Sequence, residues 1–349
     1  MQQDWQAWLD GRGARRDEAG AVRDFGAPEA AQRRAWEDAA LLALDALGVV
    51  RVTGRDARTL LQGQLTCDLA EPAPGRLRLG AHCNHQGRVL AVMRILEDED
   101  GFCLVLPAGL VDPLARRLAM FVLRSDARVA PAPDRVVTGV MGPAAPRILA
   151  AAGAAPPPEP GAVGRGDGLV LARVEGAPPR ILVLGPADAQ IALWERLAAH
   201  AAQAGPDPWF LGEIRAGVGH VFPATSAAFL PQMLNLELVG GVSFRKGCYS
   251  GQEVVARAQF LGEVKRRMVR VALPAAAAPG DEVFTADGQA AGRIVDARPT
   301  PEGGHEALAV LTAAAREAGR VRLGTAGGPA LTLLPLPYPI RHLVPGKDA

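Results

Sequence analysis

The sequence predicts an α+β protein: a mixed body over residues 41–262 and a separate C-terminal antiparallel β-barrel over 263–349, preceded by a charged lead-in at 1–40. Three observations predict it. Apolar runs at 89–96 and 102–106 are split by the acidic turn 97–101, which is a hairpin signal. Strand-like runs alternate with segments of helical period up to about residue 202. Past Gly262, short apolar strands divided by Gly, Pro and Asp turns leave room for one short helix, at 313–318, and read as a small barrel.

In chain order, residues 1–40 crowd Arg12, Arg15, Arg16, Asp17 and Glu18 together and show weak apolar spacing, so they read as a mobile or peripheral lead-in. Val49, Val50 and Val52 before Thr53-Gly54 predict a strand and a turn. Ala57, Leu60, Leu61, Gln64 and Leu65 predict a helix that buries its leucines. A second helical period runs over 111–123, through Leu114, Leu118 and Phe121. The Ala- and Pro-rich stretch 150–160 must be a loop, because proline fixes φ and removes donors. Strands at 169–171 and 181–184 and a helix over 189–202 complete the body.

At 349 residues the chain has room for two or three cores. Hydrophobic residues reach 49%, inflated by alanine. No apolar run approaches the roughly 18 residues that span a bilayer, and the N-terminus lacks a secretory pattern. A soluble, cytoplasmic protein with no membrane partner is expected. Cys67, Cys83, Cys103 and Cys248 are scattered without disulfide or Cys-x-x-Cys spacing and read as reduced thiols. A net charge of +1 gives no general argument for nucleic-acid binding. The local cluster Lys265, Arg266, Arg267 and Arg270 suits either a phosphate or acidic partner or the solvated face of a strand. There is no Walker loop and no Gly-x-Gly-x-x-Gly after a strand, which weakens nucleotide readings.

The chemistry concentrates in residues 243–257, SFRKGCYSGQEVVAR. Ser250 and Glu253 have the spacing of a capping box, which predicts a helix start near Gly251 with Cys248 just ahead of it. The helix dipole, Arg245 and Lys246 would then favour a thiolate, and Gly247 and Gly251 would leave it room. A buried, inert cysteine is the alternative. Glu253 and Arg257 share a helix face and could pair. His82, Cys83 and His85, with Cys67, invite a metal reading, but no second spaced pair completes a site and none is assigned. Asn84 and His85 beside Gly87-Arg88 suit a loop that borders a cleft.

Lys246, Gly247, Cys248, Tyr249, Gly251, Gln252, Glu253 and Arg257 match the signature Lys-Gly-Cys-Tyr-x-Gly-Gln-Glu-x-x-x-Arg. Residues 229–236, 52–57 and 61–66 add further matches. On these residues the chain, from about Leu41 onward, resembles the YgfZ family, folate-binding relatives of the glycine-cleavage T-protein linked to iron–sulfur cluster maintenance. The resemblance implies a two-lobed folate-binding body and a C-terminal barrel around a central cleft. It also implies tetrahydrofolate or a one-carbon derivative as cofactor and iron–sulfur client or assembly proteins as partners; tRNA is a partner only under the alternative readings below.

A pterin needs an apolar wall and an acceptor, and its glutamate tail favours a cation. Trp209 and Glu213 are candidates for wall and acceptor, with Trp209 alternatively a loop-packing residue beside Pro206 and Pro208. Gln62, Gln64, Gln252, Glu253 and Arg257 are the other candidate folate contacts, while Cys248, Lys246 and Tyr249 are the candidate reactive group. Two departures matter. After Gly87-Arg88 the chain reads Val89-Leu90-Ala91-Val92-Met93, with none of the carboxylate that supports aminomethyl transfer in T-proteins, so that activity is not expected. Arg215 stands where relatives often carry an acid beside Ala216-Gly217. The leading expectation is a tetrahydrofolate-binding accessory protein for iron–sulfur assembly or repair, using Cys248. The alternatives are a folate-dependent one-carbon transferase or tRNA-modification protein and, third, an RNA-binding module using 265–270.

Overall fold

The computed structural model describes residues 2–70, 75–261 and 264–340. The expected hairpin is the spine of a first sheet: Val89–Asp98 pairs antiparallel with Gly101–Pro107, and Asp98 faces Gly101 at the acidic tip. Leu47–Thr53, Arg78–Cys83 and Arg128–Pro131 complete five antiparallel strands. Two helices cover this sheet. Ala57–Gln62 buries Ala57, Leu60 and Leu61, as its apolar period requires. Val111–Ala119 buries Leu114, Ala115 and Leu118 and then gives way to a turn, so the helical period at 111–123 overran by four residues that leave Met120 and Leu123 exposed.

A second sheet has six strands in the order Val163–Gly166, Leu169–Val174, Arg180–Gly185, Val136–Met141, Ala40–Ala43 and Ala202–Ala204. Its pairs are antiparallel apart from the last, which is parallel. The helix Ala187–Leu197 lays Leu193, Trp194 and Leu197 on it. The expected helix over 189–202 ran too far: its alanine-rich end contains Ala202, which instead starts an edge strand. Of the expected loop 150–160, Ala150 and Ala151 close the helix Ala145–Ala151 and residues 152–160 form irregular chain.

The lead-in departs from expectation. Residues 1–40 contain the helices Gln2–Gly11 and Pro28–Glu37, both packed on the body. Trp5 is 2% exposed, and its ring lies 5.3 Å from Trp8 and 5.8 Å from Trp194. The segment is highly charged, but Trp5, Trp8 and Leu9 fall at helical spacing, and a few large residues suffice to dock it.

The C-terminal barrel is as expected. Arg266–Leu273, His305–Thr312, Ala290–Pro299, Glu282–Thr285, Val321–Leu323 and Ala330–Leu334 close in that order, and the helix Ala313–Ala318 is capped by the Thr312 hydroxyl. Met268, Val295, Leu308 and Val310 join the core of the first sheet, whereas Val271, Ile294, Ala309 and Leu311 fill the barrel's own core.

Candidate functional site

Where the two sheets and the barrel meet lies a buried charge network. Glu213, on the helix Asp207–Arg215, is 1% exposed. Its carboxylate accepts from Arg94 of the first sheet at 2.8 and 3.0 Å and from Arg180 of the second, and it lies 3.2 Å from His220 Nε2. Burial alone would push the Glu213 pKa up, but Arg94, Arg180 and the His220 bond outweigh it and hold the carboxyl well below its usual range. Burial works against Arg94 too, and Glu213 and Glu175 more than compensate, so its pKa is raised. For Arg180 burial is the larger influence and its pKa is lowered, with Glu213 offsetting part of it; a guanidinium nonetheless stays protonated in proteins.

Trp209, 1% exposed, lies against Gly139 of the second sheet, and Arg180 Cζ sits 5.1 Å from its ring centroid. The expectation that Trp209 and Glu213 form a free wall and acceptor is therefore corrected. The aromatic ring is a core residue and the carboxylate is already saturated by three partners. Arg215 has a different use from any pterin contact. It pairs with Glu306 at 2.8 Å and Glu302 at 3.3 Å of the barrel and lies 4.2 Å from the Trp36 ring centroid.

The signature loop is built on the segment that follows the helix Ala57–Gln62. Ser243 N donates to Thr66 O, and the Thr66 hydroxyl donates to Gly241 O. Lys246 turns inward, and its Nζ donates to the carbonyls of Gln62 (2.6 Å), Leu65 (2.7 Å) and Cys67 (2.9 Å). Burial lowers its pKa, partly offset by Cys67 and Asp68. Lys246 is thus an anchor that clamps one loop to another; the ammonium expected beside the thiol is spent on backbone carbonyls.

The capping box does not form. Ser250 Oγ donates instead to Gln64 Oε1 at 3.0 Å, Glu253 is exposed, and the helix runs over Gln252–Phe260 with Gly251 as its N-cap at φ +83°. A Cβ on Gly251 would lie 2.3 Å from Asn84 O, so this position needs glycine both for its φ and for the close approach of the Asn84–Gly87 turn. That turn is held by Asn84 Oδ1, which accepts from Gln86 N and Arg88 N. A Cβ on Gly247, by contrast, would meet nothing within 4 Å.

This scaffold leaves Cys248 exposed while Cys67, Cys83 and Cys103 are buried. Burial pushes the Cys67 thiol up to about 11 and the Cys83 and Cys103 thiols up to about 12. Beneath the loop, the Tyr249 hydroxyl and His82 Nε2 are buried without a hydrogen-bond partner. Burial raises the Tyr249 pKa, with Cys83 adding to it, and lowers the His82 pKa to about 4 despite the contact of its Nδ1 with Gln64 O at 3.0 Å.

Gln64 therefore faces the loop, Gln252 is half-buried at the helix start, and Gln62 is occupied by Asp68 and Leu69 N. Glu253 and Arg257 stand exposed on one helix and make no ion pair with each other. His82 and Cys83 are buried and His85 is exposed; among the described residues no group of three or more His, Cys, Asp or Glu side chains could hold a metal ion. His82 was not among the expected site residues. Its sequence signal was its nearness to Cys83 and His85, which pointed to a metal and not to a buried ring nitrogen without a partner.

Two sheets joined through a buried Glu–Arg junction, a closed barrel and a clamped loop that presents one thiol define a protein of the aminomethyltransferase-T fold. The glycine-cleavage aminomethyltransferase T of Bartonella henselae superposes with a TM-score of 0.78 over 95% of this chain and 96% of that one, at 19% identity. The tRNA-modifying protein YgfZ of Escherichia coli strain K12 is 32% identical over 228 residues, 65% of this chain and 70% of the relative, and that of Shigella flexneri matches equally. The chain belongs to the YgfZ family. No family profile matches it.

Proposed function

We propose that the protein binds a reduced folate at the signature corner and acts in tRNA modification as an accessory factor for iron–sulfur cluster assembly or repair, with Cys248 as its working thiol. The observation that carries this reading is the contrast at the loop: it is anchored through Lys246, Thr66 and Gly251, and of the four cysteines Cys248 is the one left exposed. The relatives' description as tRNA-modifying proteins supports the cellular role.

The corner suits a folate better than the junction does. Gln64 and Gln252 offer amide groups, and Glu253 and Arg257, exposed and without an ion pair among the described residues, offer a carboxylate for an amino-pyrimidine edge and a cation for a glutamate tail. The partnerless Tyr249 hydroxyl and His82 Nε2 lie beneath the same loop. Folate, when bound, supplies a one-carbon carrier. The strand after Gly87-Arg88 offers only Val89 to Met93 at the place of the T-protein carboxylate, which supports a role other than aminomethyl transfer.

Calorimetric titration with tetrahydrofolate tests the binding half. Wild type should bind saturably and the double variant E253Q/R257Q should bind at least tenfold more weakly; no binding by wild type, or equal binding by both, refutes it. For the thiol half, the native protein should react quickly with one equivalent of an aromatic disulfide reagent and C248A with none. C248A should also fail to restore iron–sulfur enzyme activity in cells lacking the protein. Full restoration would remove the thiol from the mechanism.

A further inference from the structure

We propose that the last turn of the helix Gln252–Phe260, together with the loop and strand ends beside it, is a surface for the phosphate backbone and an unstacked base of an RNA. This goes beyond the reading above, since a factor acting in tRNA modification need not touch RNA itself.

Two contacts assemble the surface. The Phe244 and Phe260 rings meet edge to face at 5.3 Å, which brings Arg245 alongside the end of the helix. Gln232 bridges the helix to the barrel: its side-chain amide donates to Val255 O at 2.7 Å, and its carbonyl accepts from Arg267 at 2.9 Å. Lys265 and Arg266, at the start of the strand Arg266–Leu273, are thereby held near the same helix.

Charge is sorted across this region. Arg267 is buried and paired with Glu237, and Arg270 with Glu306, so the cluster read at 265–270 is divided, with two of its cations neutralised inside the fold. Arg245, Lys265 and Arg266 are exposed and make no ion pair among the described residues. At the end of the same helix Phe260 is 47% exposed and, just past it, Leu261 85% exposed. Arg257 lies on the same helix, and Glu253, exposed on its first turn, is the carboxylate that bounds the surface on the loop side; Gly262 and Glu263 lie outside the described residues.

Uncompensated cations meet phosphates, and a half-exposed aromatic ring among them adds what a phosphate chain alone does not need, a face for a base. An acidic peptide would use the cations and leave the ring idle. Arg245 precedes Cys248 by three residues, so an RNA held here would lie at the margin of the loop that presents the thiol.

Fluorescence anisotropy of a labelled, unmodified tRNA transcript with the full chain, from about 50 to about 200 mM potassium chloride, tests the proposal. Three phosphate contacts predict a slope of log K against log salt between about −2 and −3. K265Q/R266Q should reduce that slope to about −1, and F260A should weaken binding about tenfold with the slope unchanged. R33Q/R147Q, which removes the same charge from exposed sites elsewhere, should change neither. No saturable binding at the lowest salt, or a slope indifferent to K265Q/R266Q, overturns the proposal. So does displacement of the tRNA by poly-glutamate or by anionic lipid vesicles at equal charge, which would mark an acidic protein or a membrane as the partner. Lys265, Arg266 and Phe260 are not among the folate contacts, so tetrahydrofolate titration of these variants separates failure here from failure of the folate reading.

Discussion

Glu213 illustrates how much a single buried side chain determines. It satisfies Arg94 and Arg180, each nearly inaccessible, and removing its charge would leave two guanidinium groups in the interior with weaker partners. Breaking such a network by deleting one partner costs about 3–5 kcal/mol, and E213Q should lose that much stability at neutral pH in urea unfolding. The sign of the pH dependence follows from the depressed pKa. The stabilisation is complete above the ordinary value of 4.5 and is lost as pH falls from there toward the lower folded value. The gap between wild type and E213Q should therefore narrow by about 1.4 kcal/mol per pH unit below 4.5. A gap that stays constant down to about pH 3 would show that Glu213 is not held ionised. Sequence reading found Glu213 but gave it to a ligand. Its partners Arg94 and Arg180 lie on different sheets, far away in the chain, and nothing local to Glu213 announces them.

At the scale of elements, the signature segment was legible as a loop followed by a helix, but its internal contacts were not. The Ser250/Glu253 spacing pointed to a capping box; the serine hydroxyl instead found Gln64, brought in by tertiary structure, and the helix start fell to a glycine. Lys246 was misread for a similar reason. Adjacency in sequence to Cys248 suggested a cation at the thiol, whereas the alternation of a folded loop turns neighbouring side chains to opposite environments, Lys246 buried and Gly247 and Cys248 exposed. The hairpin at 89–107 and the helix Ala313–Ala318 were read correctly because turn residues and apolar period both lie within the element itself. The Gly251 geometry makes a specific prediction. G251A must place a Cβ against Asn84 O in a left-handed backbone region and should destabilise the protein by more than about 1 kcal/mol. Because that turn and the loop are one unit, G251A should also expose the Lys246-clamped segment to faster amide exchange at Ser243 and Ser250, whose N–H groups bond to Thr66 O and Gly63 O. Unchanged exchange there would separate the turn from the clamp.

Across the whole molecule, the first forty residues are the largest departure from what the sequence suggested. Composition favoured a mobile or peripheral lead-in because charge dominates the segment, yet six positions on two helices carry the docking: Trp5, Trp8 and Leu9 share a core with Trp194 on the helix Ala187–Leu197, and Ala31, Gln32 and Ala35 bury against the second sheet and the barrel. Gln32 Nε2 reaches Pro299 O of the barrel at 2.9 Å, so the segment ties both ends of the fold together. A peripheral segment would tolerate truncation of an aromatic residue with little loss. A docked one would not, because W5A would open a cavity between Trp8 and Trp194 where a large ring is now 2% exposed. The expected cost is about 3–5 kcal/mol, read as a lowered urea midpoint with the slope preserved. Loss of near-ultraviolet circular dichroism from the Trp5, Trp8 and Trp194 cluster should accompany it in the native state. A midpoint within error of wild type would return the segment to the role of a loose leader. A lowered midpoint with intact near-ultraviolet signal would place the lost energy somewhere other than this aromatic contact.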